Sequence, residues 1–260
     1  MIFLKKNIVF FDIDGTLLDH DKQLPDSTRH AVRKLQEQGT YVAIATGRAP
    51  FMFKELRKDL GIESFVSFNG QYVVFENEVI YKNPIRTQSL HKLSEQAKRH
   101  DAPLVFMNEH TLKATGAYSA DVEQTLAAFA LQYPEFDDRF FHDNDVYQTL
   151  LYCTQEKEGH FASVDSAIRY IRWHPTCLDV TPEGGSKAIG IQRFIERAGF
   201  DIENVYAFGD GLNDIEMLQT VGTGIAMGNA EQELKKHADI ITTDVDNDGI
   251  YNGLLKAGLL

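Results

Sequence analysis

The chain has 260 residues, 43% of them hydrophobic and 25% charged, with a formal charge of −12. That is an ordinary globular profile with room for one large domain or two modest ones. The acidic balance argues against non-specific nucleic-acid binding and against an anionic membrane surface, so an anionic ligand would need a local cationic site and a metal.

Ile8–Phe11 is an unbroken apolar run that reads as a strand buried on both faces. Asp12 and Asp14 follow at alternate positions, and then Gly15 and Thr16 break the pattern. Two acids ending a buried strand are costly unless their charge is compensated, and a divalent cation with oxygen ligands is the compensation suggested. The plain alternative is a strand followed by an Asp-Gly turn. Lys5 and Lys6 precede an apolar run too short for a signal peptide, and Asp12 cuts it off. No stretch approaches membrane-spanning length.

Pro25-Asp26-Ser27 opens a helix that Asp26 or Ser27 can cap, with Ala31, Val32 and Leu35 on one face and Gly39 at the stop. Tyr41–Ala45 is a second strand, ending in Thr46-Gly47-Arg48. Pro50 begins a helix that stops near Gly61. Phe65–Phe68 is a third strand, followed by Asn69-Gly70, and Tyr72–Phe75 with Val79–Tyr81 reads as a hairpin. Strand and helix alternate as in parallel βαβ units.

The rhythm changes near Asn83-Pro84. Helix patterns fall at Leu90–His100, Asp121–Gln132 and Phe161–Ile171, and strand patterns at Leu104–Met107, Val146–Cys153 and Cys177–Val180. No strand here ends in a carboxylate pair. Residues 84–181 are therefore expected to form a separate α+β domain inserted into a first domain of residues 1–83 and 182–260. One continuous large sheet is the alternative.

After the hinge-like Pro182-Glu183-Gly184-Gly185, Ser186 can cap a helix that begins at Lys187 and runs to Ala198. Val205–Phe208 is another buried strand, ending in Gly209-Asp210-Gly211-Leu212-Asn213-Asp214. A short helix through Met217, a strand at Gly224–Met227, a helix from Glu231, a strand at Ile240-Ile241 and a helix at Ile250–Lys256 restore the βαβ rhythm.

In open α/β sheets, ligands sit outside the carboxyl ends of the strands. Three polar clusters occupy such ends: Asp12/Asp14, Thr46-Gly47-Arg48, and Asp210 with Asn213 and Asp214. Right-handed crossovers would bring them together, with Lys187 at a helix start beside them. The set offers acids for a cation, backbone N–H groups and a Thr hydroxyl for oxyanions, and a Lys for phosphate charge. That is the inventory of phosphoryl transfer.

Asp12-x-Asp14-Gly-Thr, Thr46-Gly47-Arg48, Lys187 and Gly209-Asp210-Gly211-x-Asn213-Asp214 resemble the four ordered motifs of the haloacid dehalogenase superfamily. With an insert between Arg48 and Lys187, and Asn69-Gly70 before it, the chain is similar to the Cof-type phosphatases with a type IIB cap. The resemblance implies a Rossmann-like three-layer α/β core with a parallel sheet and an inserted smaller α+β cap domain. It also implies a Mg²⁺-dependent phosphatase of small phosphate esters, such as sugar phosphates, flavin mononucleotide or pyridoxal phosphate. By motif position, Asp12 is the expected nucleophile and Asp14 the expected acid/base. Asp12, Asp210 and the backbone carbonyl of Asp14 are the expected Mg²⁺ ligands, with Asp214 supporting the metal's water shell. Thr46, Gly47, Lys187 and Asn213 are the expected phosphate-binding residues. A phosphomutase and a non-catalytic phosphometabolite sensor are the other readings.

The remaining candidates are plainer. Arg48 is either a substrate contact or a helix-start salt bridge, and Asn69 either a turn residue or a substrate contact. Glu109 and His110 read as a solvated loop. Asp244-x-Asp246-x-Asp248-Gly249 lacks the Glu of a calcium loop, with Leu255 at that position. Cys153 and Cys177 read as buried thiols, which fits a reducing cytoplasm, and the nine His form no His-x-x-x-His pair for zinc.

Overall fold

The computed structural model describes residues 6–260, so Lys5 of the opening basic pair lies outside the described residues. The chain runs β1 (Ile8–Phe11), α1 (Asp26–Glu37), β2 (Tyr41–Ala45), α2 (Lys54–Leu60), β3 (Ser64–Ser67), β4 (Tyr72–Phe75) and β5 (Glu78–Lys82). Next come α3 (Thr87–Arg99), β6 (Leu104–Met107), β7 (Leu112–Thr115), α4 (Ala120–Ala127), β8 (Gln148–Tyr152), α5 (Gln155–Glu158), β9 (Ile168–His174) and β10 (Cys177–Pro182). It closes with α6 (Lys187–Ala198), β11 (Val205–Gly209), α7 (Ile215–Thr220), β12 (Thr223–Ala226), α8 (Gln232–Lys235), β13 (Ile240–Ile241) and α9 (Gly249–Lys256). Two compact units result: Asn83–Gly185 with Ala49–Met52 forms one, and the rest of the described residues the other. Among the described residues no helix is long and apolar enough to cross a membrane.

The larger unit holds an eight-stranded sheet in the order β13-β12-β11-β1-β2-β3-β4-β5. Strands β13 to β3 in that order are parallel, and the β4–β5 hairpin closes the edge antiparallel. All four residues of β1 are buried, as expected for a strand covered on both faces. Successive side chains point to opposite faces. Phe10 meets Phe194 of α6 edge-on at 5.1 Å, whereas Phe11 stacks on Phe208 at 5.0 Å. A Cβ at Gly253 of α9 would touch Phe208 at 2.5 Å, so α6 and α9 cover opposite faces of the sheet. The result is a three-layer α/β core.

Helix ends only partly follow their sequence signals. Ser186 does cap α6, its hydroxyl accepting from the Ile189 N–H at 3.4 Å, and Gly199 ends the helix in the left-handed conformation. Neither Asp26 nor Ser27 caps α1: Pro25 holds the cap position with no side-chain bond. Helix α6 also rides very close to the turn between β3 and β4. A Cβ on Gly70 would fall 2.0 Å from the Ser186 carbonyl oxygen, and one on Gly190 would fall 2.4 Å from Val66 and 2.8 Å from the Gly70 Cα.

The smaller unit is an antiparallel five-stranded sheet in the order β7-β6-β8-β10-β9. Leu90, Leu93 and Ala97 of α3 pack with Leu104, Phe106, Leu151, Leu178 and Val180 on one face. On the other face, Thr125 of α4 hydrogen-bonds the Tyr152 hydroxyl at 2.7 Å. Two expectations are corrected here, and one strand is new. The helix expected at Phe161–Ile171 is absent, and β9 begins at Ile168 instead. Phe161, Val164 and Ile168 recur at helical spacing, but Ile168 and Tyr170 also alternate, and antiparallel pairing with β10 selects the strand. Helix α4 stops at Ala127 rather than reaching Gln132. Strand β7, a short edge strand, carries too little pattern to be read from sequence.

Candidate active site

Register places Phe11 level with Phe208 on one side and Ile44 on the other, so β11, β1 and β2 end together. The Asp12 N–H still bonds the Phe208 carbonyl at 3.0 Å, holding the acid at the sheet's edge. Asp12, Thr46 and Asp210 therefore sit just past three neighbouring strand ends. Parallel strands linked by right-handed crossovers open such a crevice on one side.

Carboxylate oxygens of Asp12, Asp210 and Asp214 lie within 4.8 Å of one another. Lys187, buried at the start of α6, reaches between two of them, with its Nζ 2.6 Å from Asp12 Oδ1 and 2.6 Å from Asp214 Oδ1. Burial works against this ammonium, but the facing carboxylates outweigh it and hold its pKa above the ordinary lysine value. Burial and the neighbouring acids Asp214 and Asp210 push Asp12 up to about 7 despite Lys187. Burial and Asp214 likewise push Asp210 up to about 6.

Asp214 spends its other oxygen on backbone: Oδ2 accepts from the N–H groups of Asp210 and Gly211, each at 3.0 Å. It thus shapes the Asp210 loop and anchors Lys187. Thr16 donates its hydroxyl to Asp210 Oδ1 at 3.0 Å. Gly15, in the left-handed region at φ +75°, allows this approach, because a Cβ there would lie 2.2 Å from Asp210 Oδ2. Sequence reading includes Thr16 in the first motif and gives it no role. Its place two residues after Asp14, in a turn that must face a distant acid, was the available signal.

The Asp14 carboxylate is bonded to cations instead. Arg48 grips it with two bonds, Nε to Oδ2 at 2.8 Å and Nη2 to Oδ1 at 2.6 Å, and Lys22 adds a third at 2.6 Å. Burial raises the Asp14 pKa, but the bonds and charges of Arg48 and Lys22 prevail and hold it below the usual carboxylate range. Arg48 is thus paired with Asp14. Lys22, which sequence reading missed, comes from a tight turn where its own φ is 60°.

Three of the phosphate-binding candidates, Thr46, Gly47 and Asn213, lie beside Asn69. The Thr46 N–H is used in the sheet, on the Val66 carbonyl at 2.9 Å, while its hydroxyl oxygen accepts from the Arg48 N–H at 3.1 Å. The hydroxyl hydrogen remains to be donated. Asn69 is buried, adopts φ 51°, and donates its N–H to the Thr46 carbonyl at 3.1 Å. Its side chain lies over Gly47, where a Cβ would fall 3.0 Å from Asn69 Nδ2, and its Oδ1 accepts from Asn213 Nδ2 at 3.3 Å. Thr46, Gly47, Asn69 and Asn213 are thereby brought into one group.

These acids fit Mg²⁺. The donors are hard oxygens, and two like charges are crowded enough to resist ionisation without a cation. Asp214 is already engaged on both oxygens, so a cation placed here would find its direct side-chain ligands in Asp12 and Asp210. One or two carboxylates is the number Mg²⁺ usually takes.

A family model described as haloacid dehalogenase-like hydrolase matches residues 9–254. YkrA of Bacillus subtilis (strain 168) is 49% identical over 257 residues, covering 99% of this chain and 100% of that protein. The 5-amino-6-(5-phospho-D-ribitylamino)uracil phosphatase YcsE of the same organism is 27% identical over 249 residues, 95% of this chain and 94% of YcsE. The solved structure of BT4131, a sugar phosphatase of subclass IIB, is similar with a TM-score of 0.85 at 30% identity, covering 98% of this chain and 100% of that one. A match that runs from β1 into α9 takes in every strand end described above, and the protein belongs to the haloacid dehalogenase-like hydrolases as a Cof-type phosphatase.

Proposed function

We propose that this phosphatase is Mg²⁺-dependent, acts on small phosphorylated metabolites, and passes the phosphoryl group through an aspartyl-phosphate on Asp12. The observation that carries the reading is Lys187 Nζ at 2.6 Å from Asp12 Oδ1, inside a cluster of acids at the strand ends. One oxygen of Asp12 attacks phosphorus, and the P–O ester bond breaks with its electron pair going to the leaving oxygen. Asp14 gives that oxygen a proton and later takes one from the water that cleaves the acyl phosphate. To do so it parts from Arg48 and Lys22, because a carboxylate gripped by two cations stays ionised.

The Thr46 hydroxyl, the Gly47 N–H, Lys187 and the amides of Asn69 and Asn213 hold the phosphoryl oxygens. Mg²⁺, held by Asp12 and Asp210 with the backbone carbonyl of Asp14, would neutralise the crowded acids and draw charge from the phosphoryl group. Residues 84–181 would act as the cap, excluding water and selecting the alcohol part of the ester. Sugar phosphates and phosphorylated cofactors are the substrates this reading favours. The names of BT4131, a sugar phosphatase, and YcsE, which acts on a ribityl phosphate, support that class.

The test is a panel of phosphorylated metabolites with Mg²⁺ and with EDTA, using wild type and Asp12→Asn. Stoichiometric phosphate release that EDTA and Asp12→Asn both abolish is the expected result. Normal turnover of p-nitrophenyl phosphate by Asp12→Asn refutes the nucleophile. An isomeric phosphosugar in place of free phosphate indicates a mutase.

A further inference from the structure

The segment after β12, Met227–Glu231, contributes to none of the motifs above, yet it is tied to both halves of the acid cluster. At its ends, the Met227 N–H donates to the Gly209 carbonyl and the Glu231 N–H to the Asp210 carbonyl, each at 3.0 Å. From its middle, Asn229 Nδ2 donates to the Gly15 carbonyl at 2.8 Å. The same side chain accepts from the Val245 N–H at 2.8 Å through Oδ1. The segment has no room to slide: the Gly228 N–H bonds the Thr243 carbonyl at 2.9 Å, and a Cβ on Gly228 would fall 2.4 Å from the Asp244 nitrogen.

Gly15 is the residue beside which Asp210 packs, and its neighbour Thr16 holds Asp210 Oδ1. Asn229 therefore fixes the peptide that connects the first acid turn to the second. The position uses a donor and an acceptor on separate atoms of one short side chain, which the Asn amide supplies through Nδ2 and Oδ1. Asp would set a carboxylate against the Gly15 carbonyl. Ala would leave that carbonyl and the Val245 N–H without their partner.

We propose that Asn229 is a positioning residue for the divalent-cation site. It straps the Asp12–Thr16 turn to the Gly209–Asp214 loop at the separation that lets Asp12 and Asp210 share one ion, against the repulsion of their charges. The inference rests on the Mg²⁺ reading above.

Mn²⁺ binding to the full chain, followed by electron paramagnetic resonance, tests it in wild type, Asn229→Ala and Asn229→Asp. Outer partners of metal ligands typically contribute about 10–100-fold in affinity, and a loss in that range is expected for both variants. At saturating Mg²⁺, kcat and the KM for p-nitrophenyl phosphate return to near wild-type values. The Mg²⁺-induced rise in Tm shrinks, whereas a purely structural role lowers Tm equally with and without the ion. Should Asn229→Ala not fold, Asn229→Ser is measured in its place. Mn²⁺ bound by a folded variant as tightly as by wild type overturns the strap alone. Wild type that binds no Mn²⁺ overturns the cation site itself, and the strap with it.

Discussion

The two units differ in where their strands stop. In the larger one the parallel strands β11, β1 and β2 end on the same side, and Asp12, Thr46 and Asp210 collect there. In the smaller one, antiparallel strands end alternately on opposite sides, so residues at strand ends are dispersed. Its acid with a raised pKa, Asp179, stands mid-strand on β10 without a second acid among the groups that shift it, and burial pushes it up to about 7 against bonds from Trp173 and Gln148. Topology decides which sheet can gather like charges: a parallel sheet concentrates them, and an antiparallel one spreads them out.

Substitutions in the larger unit should have the largest effects. Asp14→Asn should lower kcat/KM for an alkyl phosphate by about 10²–10⁴-fold, the usual contribution of general acid–base catalysis. The loss should be much smaller for p-nitrophenyl phosphate, whose leaving oxygen needs no proton. Equal losses on the two esters would remove Asp14 from the acid role. Next comes Lys187→Met, which strands two buried carboxylates and should cost about 3–5 kcal/mol in urea unfolding. A cost below about 1 kcal/mol would mean the acids take up protons at little expense.

The response of pH-dependent stability to Mg²⁺ separates the two units. Asp12 and Asp210 have folded pKa values of about 7 and about 6, above their ordinary 3.8. Their full contribution is present below that ordinary value and is lost as pH rises through 6 to 7. In EDTA, Tm should therefore fall between pH 5 and pH 8, and Mg²⁺ should flatten the fall. Asp179 has the same sign, so Asp179→Asn should raise Tm at pH 8 by a few degrees, with or without Mg²⁺. A gain that depends on Mg²⁺ would tie Asp179 to the cation site. Smallest of all, Lys98→Ala breaks an exposed ion pair with Asp138 and should change unfolding free energy by about 0–1 kcal/mol.

Much of the larger unit was legible because its signals are local. Each buried run there ends in a polar cluster, and each crossover helix carries its own periodicity. The four motifs read as one group, since parallel topology dictates where they go. What escaped depends on long-range contact. Thr16, Lys22 and Asn229 are ordinary turn residues until Asp210, Asp14 and Gly15 lie opposite them. The strand at Ile168–His174 was hidden because its apolar residues fit two periodicities, and only β10 chooses between them.

The near-contact of α6 with the β3–β4 turn has a consequence for how this protein would look in a mutational scan. Positions 70 and 190 have space for nothing beyond a hydrogen, since any β-carbon would strike main chain or Val66. Both should therefore score as intolerant as Asp12 itself, although neither carries a group that can bind or react. A survey ranking residues by intolerance alone would place two purely steric glycines among the catalytic candidates. Retained Mn²⁺ affinity in whatever folded fraction survives would tell them apart from the acids.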